Sequence, residues 1–237
     1  MGWRDRQGRR SLVAMHRGVP VVVAVLWAGW PAIGAAQTLV QAEAGGAQSL
    51  AHELAGPGVQ LTVAATRAAG RLRWGVEGSF AHLGMGPAGA RLDSASYGFD
   101  RETRSQSIYS VGPVLALPLR AGRFLPCVTA GVLASYLETA ITTKEYGSDG
   151  QTVVGTLLER VNSTAFGPSV AFTSWGPSLW PHATLAITVR LDVPIGSMQR
   201  YGSPTGGPEA GYDRTQALPV LSVGVALVAL ASGMRPN

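Results

Sequence analysis

The chain has 237 residues, of which 46% are hydrophobic and only 14% are charged, and it contains 31 glycines. A disordered chain would show the opposite balance, with high charge and little apolar content. The formal net charge of +5 falls to about +1 without the arginine-rich start of the chain, so the rest lacks the basic surface that a nucleic-acid-binding protein needs.

The chain begins with the residue order of a secretory signal. Five arginines precede the apolar run of residues 21–30, and a proline and several small residues ending at Ala36 follow it. This run is too short to cross roughly 30 Å of hydrocarbon as a helix. We therefore predict a cleavable signal peptide over residues 1–36. The sequence leaves open whether translation begins at Met1 or at Met15.

The mature region, residues 37–237, alternates apolar with polar or small residues at period two, which predicts β-strands. The clearest segment runs from Pro181 to Val193, where every second residue from Ala183 onward is aliphatic or alanine. We place eight strands near residues 38–48, 58–67, 71–83, 105–119, 123–140, 163–174, 180–194 and 217–230.

The connections between these strands alternate in length. Tight turns are predicted at residues 68–70, 120–122 and 175–178, whereas the intervening connections are long and polar, apart from a short first one around residues 55–57; the long ones cover residues 84–104, 141–162 and 195–216. Short turns at one rim and long loops at the other are typical of outer-membrane barrels. Within the second long connection, Asp149-Gly150 is a hairpin signal, so the fifth and sixth strands are predicted to extend as a two-stranded ribbon.

Aromatic residues cluster near both ends of the predicted strands. Those near the short turns are Trp74, Phe124, Phe172 and Trp180, and those near the long loops are Phe80, Tyr109, Tyr136 and Phe166. Two aromatic bands around an apolar belt are what the headgroup regions of a bilayer favour. The pattern predicts an all-β, eight-stranded antiparallel up-and-down transmembrane β-barrel with its apolar face outward. A soluble, lipocalin-like periplasmic barrel, with that face inward, is the less favoured alternative.

Two segments carry a resemblance to a known family. The sequence Phe124-Leu125-Pro126-Cys127-Val128-Thr129-Ala130-Gly131-Val132 and the sequence Phe166-Gly167-Pro168-Ser169-Val170-Ala171-Phe172 resemble strands of the small OmpA-like and OmpX-like outer-membrane barrels. The segment Ser222–Leu227 is similar to their terminal assembly signal, although no final aromatic residue follows. The resemblance implies outer-membrane localisation, with membrane lipid and the barrel assembly machinery as partners.

Charged residues also fall on the face predicted to line the lumen. By strand phase these residues are Glu43, Arg71, Arg73, Glu77, Arg190 and Asp192. Three acids and three bases in an eight-stranded barrel are expected to pair, because an unpaired buried charge is costly and the interior has room only for side chains. We therefore predict an ion-pair network that plugs the lumen.

The sequence offers no convincing catalytic or metal site. His52, His82 and His182 are scattered without metal-ligand spacing, Cys127 is single, and no Gly-x-Ser-x-Gly elbow occurs. We expect no enzyme, no cofactor and no metal, and a structural or surface-interaction role in which long loops meet an unidentified partner. The alternative is a minor pore or a lipid-modifying enzyme acting at the barrel rim.

Overall fold

A computed structural model describes residues 38–50, 56–84, 90–93, 98–120, 125–147, 149, 151–174, 176–180, 182–199 and 213–231. The predicted signal peptide and Phe124 lie outside the described residues, so both remain predictions. Within the described ranges, no helix is long and apolar enough to cross a membrane.

All the regular structure described is β-strand. The strands are β1 Thr38–Ser49, β2 Pro57–Ala69, β3 Leu72–Leu83, β4 Ala90–Asp93, β5 Gly98–Pro118, β6 Cys127–Tyr146, β7 Val153–Thr173, β8 Ser178–Trp180, β9 Ala183–Asp192, β10 Ile195–Gln199, β11 Asp213–Ala217 and β12 Val220–Ala231.

Eight of these strands close into an antiparallel barrel. Going round the wall, the order is β1, β2, β3, β5, β6, β7, β9 and β12, and β12 pairs with β1 from Val220↔Ser49 to Ala231↔Thr38. This confirms the eight predicted strands and their up-and-down order. The tight turn after β2 is also confirmed, because Gly70 has a φ of 65°, in the left-handed region that glycine occupies without strain.

The long connections contain more strand than the sequence indicated. Residues 84–104 were predicted to be loop, but they contain β4 and the start of β5, which pair with each other. Residues 195–216 likewise contain β10 and most of β11, which continue β9 and β12 beyond Pro194 and Pro219. The predicted ribbon of the fifth and sixth strands is present, since β6 and β7 remain paired up to Tyr146↔Val153. Ladder hydrogen bonds explain the difference, because a polar segment that finds a paired neighbour continues the sheet.

The barrel is apolar outside and polar inside. Large apolar side chains such as Val59, Val132 and Val225 are more than half exposed on the outer wall. The alternate residues, among them Gln60, Thr62 and Ser222, are buried in the interior. A soluble barrel would place its apolar face inward, so the lipocalin-like alternative is wrong for this chain.

Inward-facing glycines let the wall bend tightly. At the closing seam, Gly45 of β1 lies directly opposite Gly224 of β12. A Cβ on Gly45 would overlap the Val223 carbonyl oxygen, and a Cβ on Gly224 would meet the Ala44 carbonyl oxygen 2.6 Å away. The outward-facing neighbour Gly46 has nothing within 4 Å of such a Cβ. The pairing of β1 with β12 therefore requires glycine at position 45, whereas position 46 has room for a side chain.

We predict that Gly45→Val weakens barrel closure by about 1–3 kcal/mol, the usual range for overpacking a close-packed site. The measurements are the urea midpoint of the refolded protein and the fraction that keeps folded gel mobility without boiling. Gly46→Val, on the same strand, is the matched control and should behave like the native chain. Equal destabilisation by both substitutions would contradict the assignment of the seam.

Candidate functional site: the lumen charge cluster

Arg190 crosses the barrel interior at about the middle of its height. It lies on β9, and its main partner, Glu77, lies on β3, which is four strands away in either direction around the wall. Both side chains are only 1% exposed. Because the two strands are diametrically opposite, this single ion pair spans the lumen.

The guanidinium of Arg190 is held by groups from several strands. Its Nη1 donates to Glu77 Oε1 and, at 3.1 Å, to Ser169 Oγ, and its Nη2 donates to Glu77 Oε2 at 3.0 Å. Nη2 also lies 3.4 Å from Glu43 Oε2, and Nη1 lies 3.8 Å from Asp192 Oδ1. The two parallel bonds to Glu77 form the bidentate geometry that is strongest for arginine and carboxylate.

Neighbouring polar side chains extend the cluster around the wall. Gln60 Nε2 donates to Asp192 Oδ2 at 2.7 Å, so β2 is tied to β9 through the interior. Nearer the short turns, Gln41 Nε2 donates to Thr173 Oγ1 at 3.3 Å, and Thr173 Oγ1 lies 3.3 Å from Thr188 Oγ1. The interior therefore contains a polar layer of two hydrogen-bonded groups, one around Arg190 and one around Thr173, rather than an isolated ion pair.

Buried apolar clusters lie above and below this layer. Toward the long loops, a buried cluster includes Leu83, Ile108, Leu137, Leu218 and Val220. Toward the short turns, a second buried cluster consists of Leu39, Leu125, Cys127, Ala186, Ala226 and Val228, with Leu230 packed against it. A cavity of about 10 Å³ lies beside Glu77 and Gln41, which is room for about one water molecule. Both clusters and the polar layer between them are built from side chains that point into the barrel, where eight strands leave room for little else.

The structure brings together four of the six predicted lumen residues. Glu43, Glu77, Arg190 and Asp192 form the cluster, whereas Arg73 is buried closer to the short turns and donates to Thr66 Oγ1 at 3.3 Å. The prediction for Arg71 is wrong. It is exposed in the turn that follows Gly70, where the alternation of β3 has not yet begun.

Sequence reasoning missed the uncharged members of this layer. Gln60 and Ser169 lie at strand positions that the period-two alternation assigns to the inward face. Neither side chain is charged, so a search for charged lumen residues does not find them. Within the described ranges, no group of three or more His, Cys, Asp or Glu side chains could hold a metal ion.

The predicted aromatic bands fall mainly on the outer wall. Trp74, Tyr136, Phe166, Phe172 and Trp180 are exposed, and Trp180 lies on the short outer strand β8. Phe80 and Tyr109 are half-buried because they pack against each other, with ring centroids 5.1 Å apart. Tyr109 also packs against Tyr136 at 6.3 Å, so one aromatic row crosses β3, β5 and β6.

An apolar outer belt around a closed eight-stranded barrel with a polar interior defines a small transmembrane β-barrel of the outer-membrane type. In water such a belt would be an aggregation surface, so the protein resides in the outer membrane.

The chain matches no known family and no curated protein at the sequence level. Its fold is similar to that of three solved outer-membrane proteins. Neisserial surface protein A is 13% identical, with 82% of this chain and 95% of that chain covered and a TM-score of 0.38. A major outer membrane protein from Thermus thermophilus is 14% identical, with 82% and 99% covered and a TM-score of 0.45. Ail, the attachment invasion locus protein of Yersinia pestis, is 12% identical, with 81% and 97% covered and a TM-score of 0.37.

We predict that Arg190→Met destabilises the barrel by about 3–5 kcal/mol, because it leaves buried carboxylates without their cation. Arg71→Met removes the same charge from an exposed turn and should change stability by less than about 0.5 kcal/mol. Urea unfolding of both refolded variants, followed by tryptophan fluorescence, measures the difference. Similar losses in the two variants would show that the cluster is not what stabilises the interior.

We predict that a barrel whose interior contains two apolar clusters and an ion-pair layer does not conduct. We expect no steady current on the nanosiemens scale when the refolded protein is inserted into planar bilayers. Sustained channels of that size would mean that the cluster opens and that the protein is a pore.

Proposed function

We propose that this protein acts at the cell surface as an interaction barrel, in which the filled lumen is structural and the strands that project from the membrane bind a partner. The observation that carries the proposal is an edge of β7 that pairs with no second strand among the described residues. The barrel itself would be surrounded by outer-membrane lipid and inserted by the barrel assembly machinery.

The projecting part is a sheet rather than a set of loops. On β6, the strand continues for about ten residues beyond the aromatic row at Tyr136 and ends at Tyr146, which corresponds to roughly 30 Å along the strand. β5 and β7 pair with it over this length, and β4 adds a fourth strand beside β5. A paired sheet of this kind holds its shape without the membrane and presents a defined surface.

In the part of the chain that the structure describes, one edge of this sheet has no partner strand. Among the described residues, β7 pairs with β10 only at Ala165 and Phe166, so residues 153–164 pair with β6 alone. Val154 and Leu158 on this segment are 67% and 58% exposed. Unpaired backbone groups next to exposed apolar side chains form the kind of edge that accepts an added strand. We infer that the partner contributes an extended segment.

The test is photo-cross-linking on intact cells. A photoreactive amino acid at Leu158 should give protein adducts of discrete mass, whereas one at Val132, which is equally exposed at 58% but lies on the barrel wall, should give lipid adducts. Replacing residues 142–158 by Asn-Gly should close the hairpin at Ile141↔Glu159 and remove the adducts while folded gel mobility is kept. The absence of protein adducts at Leu158 on folded, surface-exposed protein would overturn the proposal.

The tip of the ribbon has its own stabilising contact. Asp149 accepts hydrogen bonds from the Gln151 amide at 3.0 Å, the Thr152 amide at 2.9 Å and the Thr152 hydroxyl. These donors favour the carboxylate and lower the pKa of Asp149 to about 2. The folded pKa is depressed, so this contribution is complete above the unfolded pKa near 3.9 and is lost as the pH falls through about 2.

We therefore predict that the protection factors of the Gln151 and Thr152 amides stay constant from pH 7 to about pH 4 and fall between about pH 4 and 2. Asp149→Ala should lower these protection factors above about pH 4, where the native carboxylate is charged, and should remove the step. Hydrogen exchange followed by NMR measures both effects. A native profile in Asp149→Ala would show that the carboxylate does not hold the turn.

A further inference from the structure

The structure pairs a histidine with a serine on the outer surface of the barrel. His82 of β3 and Ser107 of β5 face each other in register, and His82 Nδ1 lies 3.0 Å from Ser107 Oγ. His82 is exposed and Ser107 is partly exposed. The two residues are 25 positions apart in the sequence, so only the strand pairing brings them together.

This pair has a defined height on the wall. His82 and Ser107 each lie two residues beyond a member of the aromatic row, after Phe80 on β3 and before Tyr109 on β5, on the long-loop side. Aromatic rows of this kind mark the membrane–water interface. The ester groups of membrane lipids lie between headgroup and acyl chain, and so at the height of such a row. Water, lipid ester and the pair can therefore meet without opening the barrel.

We propose that Ser107 and His82 form a nucleophile–base pair that hydrolyses an acyl ester of an outer-leaflet lipid. A serine hydroxyl is a weak nucleophile until a neighbouring base takes its proton, and the required separation of about 2.6–3.2 Å is met. In the tautomer with its proton on Nε2, the imidazole accepts the Ser107 hydrogen at Nδ1.

The reaction balances with water as the only co-reactant. Ser107 Oγ bonds to the ester carbonyl carbon while its proton moves to His82 Nδ1. The ester C–O bond then breaks, and the departing alcohol oxygen takes that proton, leaving an acyl-serine. Water attacks the acyl-serine, passing a proton to His82, which returns it to Ser107 as the fatty acid leaves.

The surroundings of the pair indicate a slow hydrolase. Among the described residues, no carboxylate is hydrogen-bonded to His82, and Glu138, which lies opposite Ser107, forms its ion pair with Arg160 at 3.4 Å. Loss of the orienting acid from a serine–histidine–acid triad lowers turnover by about 10⁴-fold. The site should therefore be detected by covalent labelling as well as by product release.

The experiment uses the full barrel refolded in detergent micelles that contain a diacyl phosphatidylethanolamine, with fatty-acid release and fluorophosphonate labelling as readouts. The native chain and Ser105→Ala, two residues away on the same face of β5, should release fatty acid and become labelled. Ser107→Ala should lose the label, and Ser107→Ala and His82→Gln should each release at least about 100-fold less fatty acid. Folded gel mobility confirms that each variant forms the barrel.

Three results would overturn the proposal. Folded native protein that releases no more fatty acid than empty micelles would do so, as would label on Ser107 without fatty-acid release. Release that persists in Ser107→Ala would assign any activity to another group. None of these results concerns the projecting edge of β7, so the surface-interaction proposal is tested separately.

Discussion

The side chain of Arg190 is the constraint around which the interior is organised. A guanidinium in a closed lumen cannot be left without anions, and here Glu77 on the diametrically opposite strand supplies two oxygens in bidentate geometry. Ser169 and Glu43 bring two further strands to the same group. Since each partner comes from a different strand, the contacts can all form only when the barrel is closed. The cluster thus couples closure of the wall to filling of the lumen.

The barrel wall and the packing of the interior both fit a buried Arg190 that needs nearby anions. Glycines at the seam leave no side chain between the backbones of β1 and β12, where a Cβ on Gly45 or Gly224 would meet the carbonyl oxygen of the facing strand. Apolar clusters above and below the polar layer keep bulk water away from the ion pairs and so strengthen them. Our proposal assigns such an interior to stability rather than transport, and places the function on the outside of the molecule.

Two outer regions offer that function, and they differ in chemistry. The projecting sheet offers a strand edge that is unpaired among the described residues and has exposed Val154 and Leu158, which suits the extended protein segment we propose. The wall below it offers His82 and Ser107 at the height of the aromatic row, which suits a lipid ester. The first region stands clear of the membrane and the second faces it. Substitutions in the projecting sheet should therefore leave the His82–Ser107 pair intact, and substitutions in the pair should leave the sheet intact.

Local patterns along the chain were enough to predict the strands, their order and the face that meets lipid. Period-two alternation and the alternation of short and long connections are local properties, so eight strands and most of their positions followed from them. The same patterns placed Glu43, Glu77, Arg190 and Asp192 on one face, because strand phase is local too. They failed at Arg71, which precedes the first residue of β3, and at the long connections, where strand continues into polar segments.

Which residues meet became clear only from the folded barrel. Strand phase puts Glu77 and Arg190 in the lumen but does not show that β3 and β9 are opposite each other, since that depends on the number of strands and their closure. The 3.0 Å contact of His82 with Ser107 depends on the register of β3 against β5, and a shift of one residue would remove it. Likewise, only the pairing of the folded chain shows that, among the described residues, β10 pairs with β7 no farther than Ala165. Partners across a sheet are set by register and closure, and neither is encoded in any one segment.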